Sequence, residues 1–375
     1  MEEFQFPAQT PAVAPRPTDE NAIAVRNWLW SVAALVFLMV IVGGATRLTE
    51  SGLSIVEWKP VTGVIPPLTQ EQWVAAFEDY KKIPQYQEMF PNMDLAGFQY
   101  IFAWEWAHRL LGRLIGVVFA LPLAFFWLRG RLPRGLKPKL LGIFALGALQ
   151  GGIGWWMVAS GLVHRVEVAQ ERLAIHLVVA AFIFSACIWV AGGLGPKKPS
   201  AIVSGRSRLR ATGFVLLALV FVQLFAGGLV AGLRAGLVDN TWPLIEGALV
   251  PPAQDLFRLD PLWANFVDNP LTVQFTHRMI AYTIFALALA HFVDAGLHAQ
   301  GRARRGAAIV FWHVAGQVAL GIATLVFVDH VMIEAPHIEW PLAGTPHLAL
   351  GLAHQAIGMA VLAVTTVQAK RLSEL

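Results

Sequence analysis

The chain has 375 residues, 56% of them hydrophobic and only 14% charged, with a formal net charge of +4 and one cysteine. Soluble domains carry roughly 25% charged residues, so this composition excludes an ordinary soluble protein and points to a polytopic membrane protein. A single cysteine rules out an intramolecular disulfide and argues against a cysteine-based metal site, and no basic and aromatic interleaving of the kind that binds nucleic acid is present.

Residues 1–26 are Pro-rich and partly acidic, with neither a short apolar core nor a small-residue cleavage pattern, so they read as a disordered cytoplasmic tail and not as a signal peptide. Eight apolar runs follow, each long enough for a bilayer that needs about 20 helical residues: roughly 27–46, 100–128, 138–158, 171–194, 209–231, 271–294, 307–328 and 345–368. The expected fold is an all-α membrane protein of eight transmembrane helices. It divides into an N-terminal four-helix bundle over 27–194, a basic linker over 195–208, a second bundle over 209–368 and a cytoplasmic tail over 369–375.

Lys and Arg accumulate in the loops kept on the cytoplasmic side. Arg129, Arg131, Arg134, Lys137 and Lys139 follow the second run, Lys197, Lys198, Arg206, Arg208 and Arg210 the fourth, Arg302, Arg304 and Arg305 the sixth, and Lys370 and Arg371 the eighth. The intervening loops are acidic or mixed. Both termini are therefore expected inside, in a bacterial inner membrane or on the matrix side of a mitochondrial one.

The halves repeat each other. The first run ends in Val42-Gly-Gly-Ala-Thr-Arg-Leu48 and the fifth in Ala226-Gly-Gly-Leu-Val230, and each leads into a loop that closes on a proline pair, Pro66-Pro67 and Pro251-Pro252. The third and seventh runs match as Leu149-Gln-Gly-Gly-Ile-Gly-Trp155 and Gly316-Gln-Val-Ala-Leu-Gly-Ile322, and the fourth and eighth as Ala174-Ile-His-Leu177 and Ala353-His-Gln355. Four helices per half is an even number, so the expected arrangement is a parallel repeat, with function placed in each bundle core by facing helices. The glycine pairs 43/44, 151/152 and 227/228 read as close helix contacts.

Chemistry concentrates where the second and sixth runs begin. Phe102-Ala-Trp-Glu-Trp-Ala-His-Arg-Leu-Leu-Gly-Arg113 puts Glu105 and His108 on one helical face, and ionisable residues in a membrane helix mark function by default. Val273-Gln-Phe-Thr-His-Arg-Met279 repeats the pattern with Gln274 in place of Glu105. Each half thus carries two histidines at repeated positions, His108 and His176, then His277 and His354. Facing imidazoles with no cysteine and few carboxylates suit a planar iron macrocycle with two axial ligands better than zinc or a di-iron centre. Arg109 and Arg278 are candidate partners for propionates, because a guanidinium fork matches a carboxylate; the competing reading is snorkelling to the membrane edge. Of the remaining histidines, His164, His330, His337 and His347 fall in or beside outer loops, His298 in an inner loop, and His313 has no counterpart. His291 reads as structural, because the eighth helix has Gln368 at the matching place.

Together these residues resemble the haem A synthase family, over about residues 27–368. The resemblance rests on Gly43-Gly-Ala-Thr-Arg-Leu-Thr-Glu-Ser-Gly-Leu-Ser54, on Trp58-Lys-Pro60 with Gly63 and Pro66-Pro67, on Glu105, His108 and Arg109, and on His176, His277-Arg278 and His354-Gln355. It implies an enzyme that oxidises a methyl group of haem O to the formyl group of haem A by successive hydroxylation, for cytochrome c oxidase. By the same resemblance His277 and His354 hold a haem b cofactor, His108 and His176 hold the substrate haem O, and Glu105 is essential. Haem O synthase and oxidase assembly factors are the implied partners, with an electron acceptor besides the lipid bilayer. Lacking an outer-loop cysteine pair, the chain is similar to the alphaproteobacterial and mitochondrial type. Residues 329–347 look longer than that loop usually is.

A carboxylate can accept a proton where a glutamine can only hydrogen-bond, so the residues themselves make the first half the active one. Two rival readings stay open. A quinol-linked b-type cytochrome that only carries electrons explains four histidines but neither the one-sided Glu105 nor the elaborate outer loop 48–99. A haem-free transporter or assembly factor explains the repeat and leaves the histidines idle.

Overall fold

In the computed structural model the chain is described over residues 17–194, 200–327 and 346–375. Eight helices are long and apolar enough to cross a membrane, as the hydropathy of the sequence requires, and they make this a multi-pass membrane protein. They are α1 (Pro17–Leu48), α3 (Leu95–Leu128), α4 (Lys137–Ala159), α5 (Gln170–Gly193), α6 (Arg206–Gly232), α9 (Pro270–His298), α10 (Arg302–Val326) and α11 (Pro346–Ser373). Shorter helices lie in the loops at the opposite end from the chain termini: α2 (Gln70–Tyr80), α7 (Ala253–Leu256) and α8 (Asn265–Asp268).

Helix α1 begins at Pro17, ahead of the first apolar run, so the end of the stretch expected as a tail is helical. Residues 328–345 lie outside the described part, and with them most of the loop 329–347, including His330 and His337.

Helices α1, α3, α4 and α5 pack in one ring and α6, α9, α10 and α11 in another; α1 and α5 of the first then meet α6 and α11 of the second. One hydrophobic core runs through both, from Leu29 and Val36 on α1 through Phe184 and Ile188 on α5 to Leu216 on α6 and Leu362 on α11. Membrane helices gain little from apolar burial against one another and depend on close approach. Gly228 provides it, since a Cβ there would come within 2.7 Å of the Ala174 backbone, and Gly44 lies directly under the Gln355 amide. Gln355 in turn donates to the Val40 carbonyl at 2.7 Å, tying α11 to α1.

On the other side of the bilayer a two-stranded ribbon joins the halves. β1 (Ser200–Ile202) pairs antiparallel with β2 (Ala299–Gly301), so the basic linker is docked against the α9–α10 turn. Beside it Arg208 grips Asp294 through Nε at 2.8 Å and Nη2 at 2.5 Å.

The loop between α1 and α3 is a folded layer. Thr69 and Gln72 close a capping box on α2, and Phe77, Tyr80, Phe98 and Phe102 form an aromatic cluster beneath it. Burial, with the nearby Glu105 and Glu50 carboxylates, pushes the Tyr80 phenol up, so its O–H is kept as a donor to Gln85 at 3.0 Å.

Candidate haem sites

Each of the four repeated histidines lies against a glycine of a neighbouring helix: His108 on Gly43, His176 on Gly154, His277 on Gly227 and His354 on Gly321. A Cβ at those glycines would fall 2.8–3.2 Å from the ring, so a side chain there would push the imidazole out of place. The first glycine of the 43/44 and 227/228 pairs therefore faces a histidine and the second faces the other half.

Three of these rings have a glutamine partner. Gln150, Gln223 and Gln317 each place Nε2 3.2–3.4 Å from the Nε2 of His176, His277 and His354, and each also donates to the backbone carbonyl of the same histidine at 3.0–3.2 Å. The carbonyl can only accept, which fixes the amide nitrogen toward the histidine. That leaves the three glutamine Oε1 atoms and the three histidine Nδ1 atoms buried and unpartnered. Buried polar atoms without partners are uncommon and call for an explanation, a missing ion or ligand among them. Two imidazoles per half, unpartnered ring nitrogens and glycine-walled niches fit a haem. Among the described residues no three His, Cys, Asp or Glu side chains converge as a bare-metal site.

His291 differs from those three. Wholly buried, it has both nitrogens partnered, Nδ1 with Thr212 at 2.7 Å and Nε2 with Gln368 at 3.3 Å.

Glu105 is 2% exposed and surrounded by donors. Its Oε2 accepts from the Ser54 hydroxyl at 2.7 Å and the Ile55 N–H at 2.8 Å, and its Oε1 from Arg109 Nη2 at 2.6 Å and Nε at 3.1 Å. Arg109 reaches on to the carbonyls of Ile55 at 2.7 Å and Glu57 at 3.0 Å. Helix α3 and the Ser54–Glu57 stretch are thereby locked together over His108. In the second half Gln274 donates to the carbonyls of Ala235 at 2.8 Å and Asp239 at 3.0 Å and accepts from Arg278 at 3.1 Å. Arg278 also donates to the carbonyls of Thr241, Leu244 and Asp239. Both arginines thus have loop partners, and Arg278 keeps its Nε buried and unpartnered.

Beyond the membrane edge, burial pushes the Asp239 carboxyl up. The Thr241 and Glu246 N–H groups, the Thr241 hydroxyl and the Arg278 charge outweigh that and hold it below its ordinary value.

Where the halves meet, Arg47 hydrogen-bonds Glu50 at 2.7 Å and Glu167 at 2.6 Å, and Arg234 forms ion pairs with Glu50 at 3.0 Å and with Glu167. Glu50 and Arg234 stand at corresponding places after the two glycine pairs, both with left-handed backbone at φ 53° and 50°. Neither this cluster nor the three glutamines emerges from reading the sequence for ligands. Gln150 and Gln317 stand within the repeated motifs, and a glutamine four residues before a small residue in an apolar helix is the signal that finds all three.

Residues 26–338 match the family described as "Cytochrome oxidase assembly protein". The chain belongs to that family. It is 55% identical over 359 residues to a protein of Beijerinckia indica named "Heme A synthase", covering 94% of this chain and 93% of that one. Proteins of the same name in Rhodopseudomonas palustris and Bradyrhizobium diazoefficiens are 54% identical over 352 residues and 53% over 350, with 93% of this chain covered in each case and 91% and 92% of theirs.

Proposed function

We propose that this protein is a haem A synthase of a bacterial inner membrane, an oxidoreductase that converts a methyl group of haem O to a formyl group by successive hydroxylation. The observation that carries the reading is the one-sided carboxylate: Glu105 lies buried three residues before His108, and the matching place in the other half is a glutamine. Relatives above 50% identity that bear the name "Heme A synthase" support it.

His108 and His176 hold haem O as substrate, and His277 and His354 hold a resident haem b. When bound, that haem b supplies a redox centre through which electrons can leave toward an acceptor. Glu105 takes up protons released as the methyl carbon is oxidised, and Arg109, with the Ser54 and Ile55 donors, stabilises and orients its charged form. The Glu105–Arg109 lock also holds the outer loop over the niche and limits water there. Arg278, with its free Nε, is the better placed of the two arginines for a propionate. Both termini lie in the cytoplasm, and the halves form a parallel repeat, 27–194 and 209–368. Haem O synthase is the natural supplier of the substrate and cytochrome oxidase assembly factors the receivers of the product.

The test is extraction and mass analysis of haems from protein produced with and without a haem O supply, alongside His277→Ala and His354→Ala. Haem b with haem O or A in the wild type, and loss of haem b in both variants, is the expected result. Haem b alone under both conditions favours an electron-carrying cytochrome. No Soret band at all favours a haem-free role.

A further inference from the structure

The fourth histidine lacks what the other three have. Each of Gln150, Gln223 and Gln317 stands four residues before the glycine that its histidine lies against, Gly154, Gly227 and Gly321. Four residues before Gly43, the glycine under His108, stands Met39. The equivalence is spatial as well. A Cβ on Gly112, four residues after His108, would meet Met39 Cε at 3.1 Å, and a Cβ on Gly358, four residues after His354, would meet Gln317 Nε2 at 3.3 Å.

The rings respond accordingly. His176, His277 and His354 all turn the Cε1 edge toward their glycine, with Nδ1 the next nearest atom, while His108 turns Nε2 toward Gly43. A carboxamide anchored on the histidine's own carbonyl fixes the ring rotation. A thioether offers only a weak acceptor and no donor, and leaves it unfixed.

On the haem reading above, we propose that Met39 makes His108 the weakest of the four histidines that would hold haem and so the point at which the substrate haem is exchanged. A histidine that binds a metal depends on outer partners that hold its ring in one orientation, and removing such a partner weakens metal binding by about 10–100-fold. Beside His176, His277 and His354 that partner is a glutamine amide, held on the histidine's own carbonyl and within reach of a ring nitrogen, which fixes the ring's rotation. Both histidines of the second half are therefore anchored, as a resident cofactor would require. In the first half only His176 is anchored, through Gln150, as a substrate that arrives and departs would require. Met39 acts through His108 and is a positioning residue.

The test uses the full chain loaded with haem O and haem b and mixed with excess apomyoglobin, the transferred haems being separated chromatographically. In the wild type haem O leaves faster than haem b. Met39→Gln slows haem O release by about tenfold or more and leaves haem b release unchanged, with Met39→Leu as the control that changes neither. Gln223→Met speeds haem b release by a similar factor and leaves haem O alone, and its ferric low-spin resonance shifts for the haem b centre only. If Met39→Gln does not assemble, Gln223→Met decides. Unchanged haem O release in Met39→Gln, or unchanged haem b release in Gln223→Met, overturns the proposal while leaving the haem reading intact. A wild-type protein that takes up neither haem overturns both.

Discussion

Glu105 and Gln274 occupy matching places in the two halves, both buried and both bonded to an arginine four residues further on, yet the loops around them are wired with opposite polarity. Around Glu105 the loop turns a hydroxyl and an N–H inward; around Gln274 it turns two carbonyls inward. The surroundings thus suit an anion in the first half and a neutral amide in the second. Exchange of the side chain alone cannot convert one half into the other, because the backbone has moved with it.

Glu105→Gln tests the chemical side of that contrast and carries the largest expected effect. The amide keeps the size but cannot take up a proton, and its NH₂ must face either Arg109 or the Ser54 and Ile55 donors. Haem A formation should fall by at least about 100-fold, in the range that general acid–base groups contribute, while the haem content measured by pyridine haemochrome stays at the wild-type level. Conversion at the wild-type rate would remove Glu105 from the mechanism. The reverse exchange, Gln274→Glu, tests the structural side. A carboxylate oxygen would then face the Ala235 and Asp239 carbonyls, leaving buried acceptors without a donor at a cost of about 3 kcal/mol. The expected outcome is a lower thermal midpoint in detergent and loss of haem b, and an unchanged midpoint would mean that the loop can turn its peptides over.

Much of this contrast was legible in the sequence, for identifiable reasons. All eight membrane helices show as apolar runs because lipid forces the whole backbone to be satisfied within each helix, and Glu105, His108 and their counterparts stand out because ionisable groups in such runs are costly. The rest depends on what the chain meets after folding. Thr241, Leu244 and Asp239 offer carbonyls to Arg278 only once their loop has curled back over α9, so a propionate partner and a loop anchor look alike in the sequence. Met39 is one apolar residue among many on α1, and its position is informative only when four histidines and their glycines are superposed. The β1–β2 ribbon is too short for any pattern to announce.

Glu50 and Arg234 offer a way to weaken the junction without touching either proposed haem niche. At corresponding positions with the same left-handed backbone, they pair with each other, and Arg47 beside Glu50 and Glu167 beside Arg234, themselves paired, close a four-membered cluster. Breaking a fully buried pair costs about 3–5 kcal/mol. Side-chain exposures of 10% for Glu50 and 31% for Arg234 reduce that to about 2 kcal/mol for Arg234→Ala, visible as a lowered thermal midpoint. The charge-swapped pair Glu50→Arg with Arg234→Glu should recover only part of the loss, since Glu167 and Arg47 would then each face a like charge. Full recovery would show that the pair acts alone and not as a four-membered cluster.

The smallest effect is expected at Asp239, which belongs to the second half's loop and has no carboxylate equivalent in the first, where Ile55 occupies the corresponding place. Its carboxyl is held below the ordinary 3.8, so its stabilisation is fully present above that value and is lost as pH falls through the lower value of the folded protein. Acid should therefore loosen the loop around Gln274 and Arg278. Hydrogen exchange of the Thr241 and Glu246 amides, both of which donate to Asp239, measures this directly. In Asp239→Asn the two amides should exchange faster already at neutral pH, with little further change on acidification. If they instead kept the wild-type acid profile, the loop would owe its order to Arg278 and its carbonyl partners, and the second half's lock would be as independent of carboxylate charge as Gln274 itself.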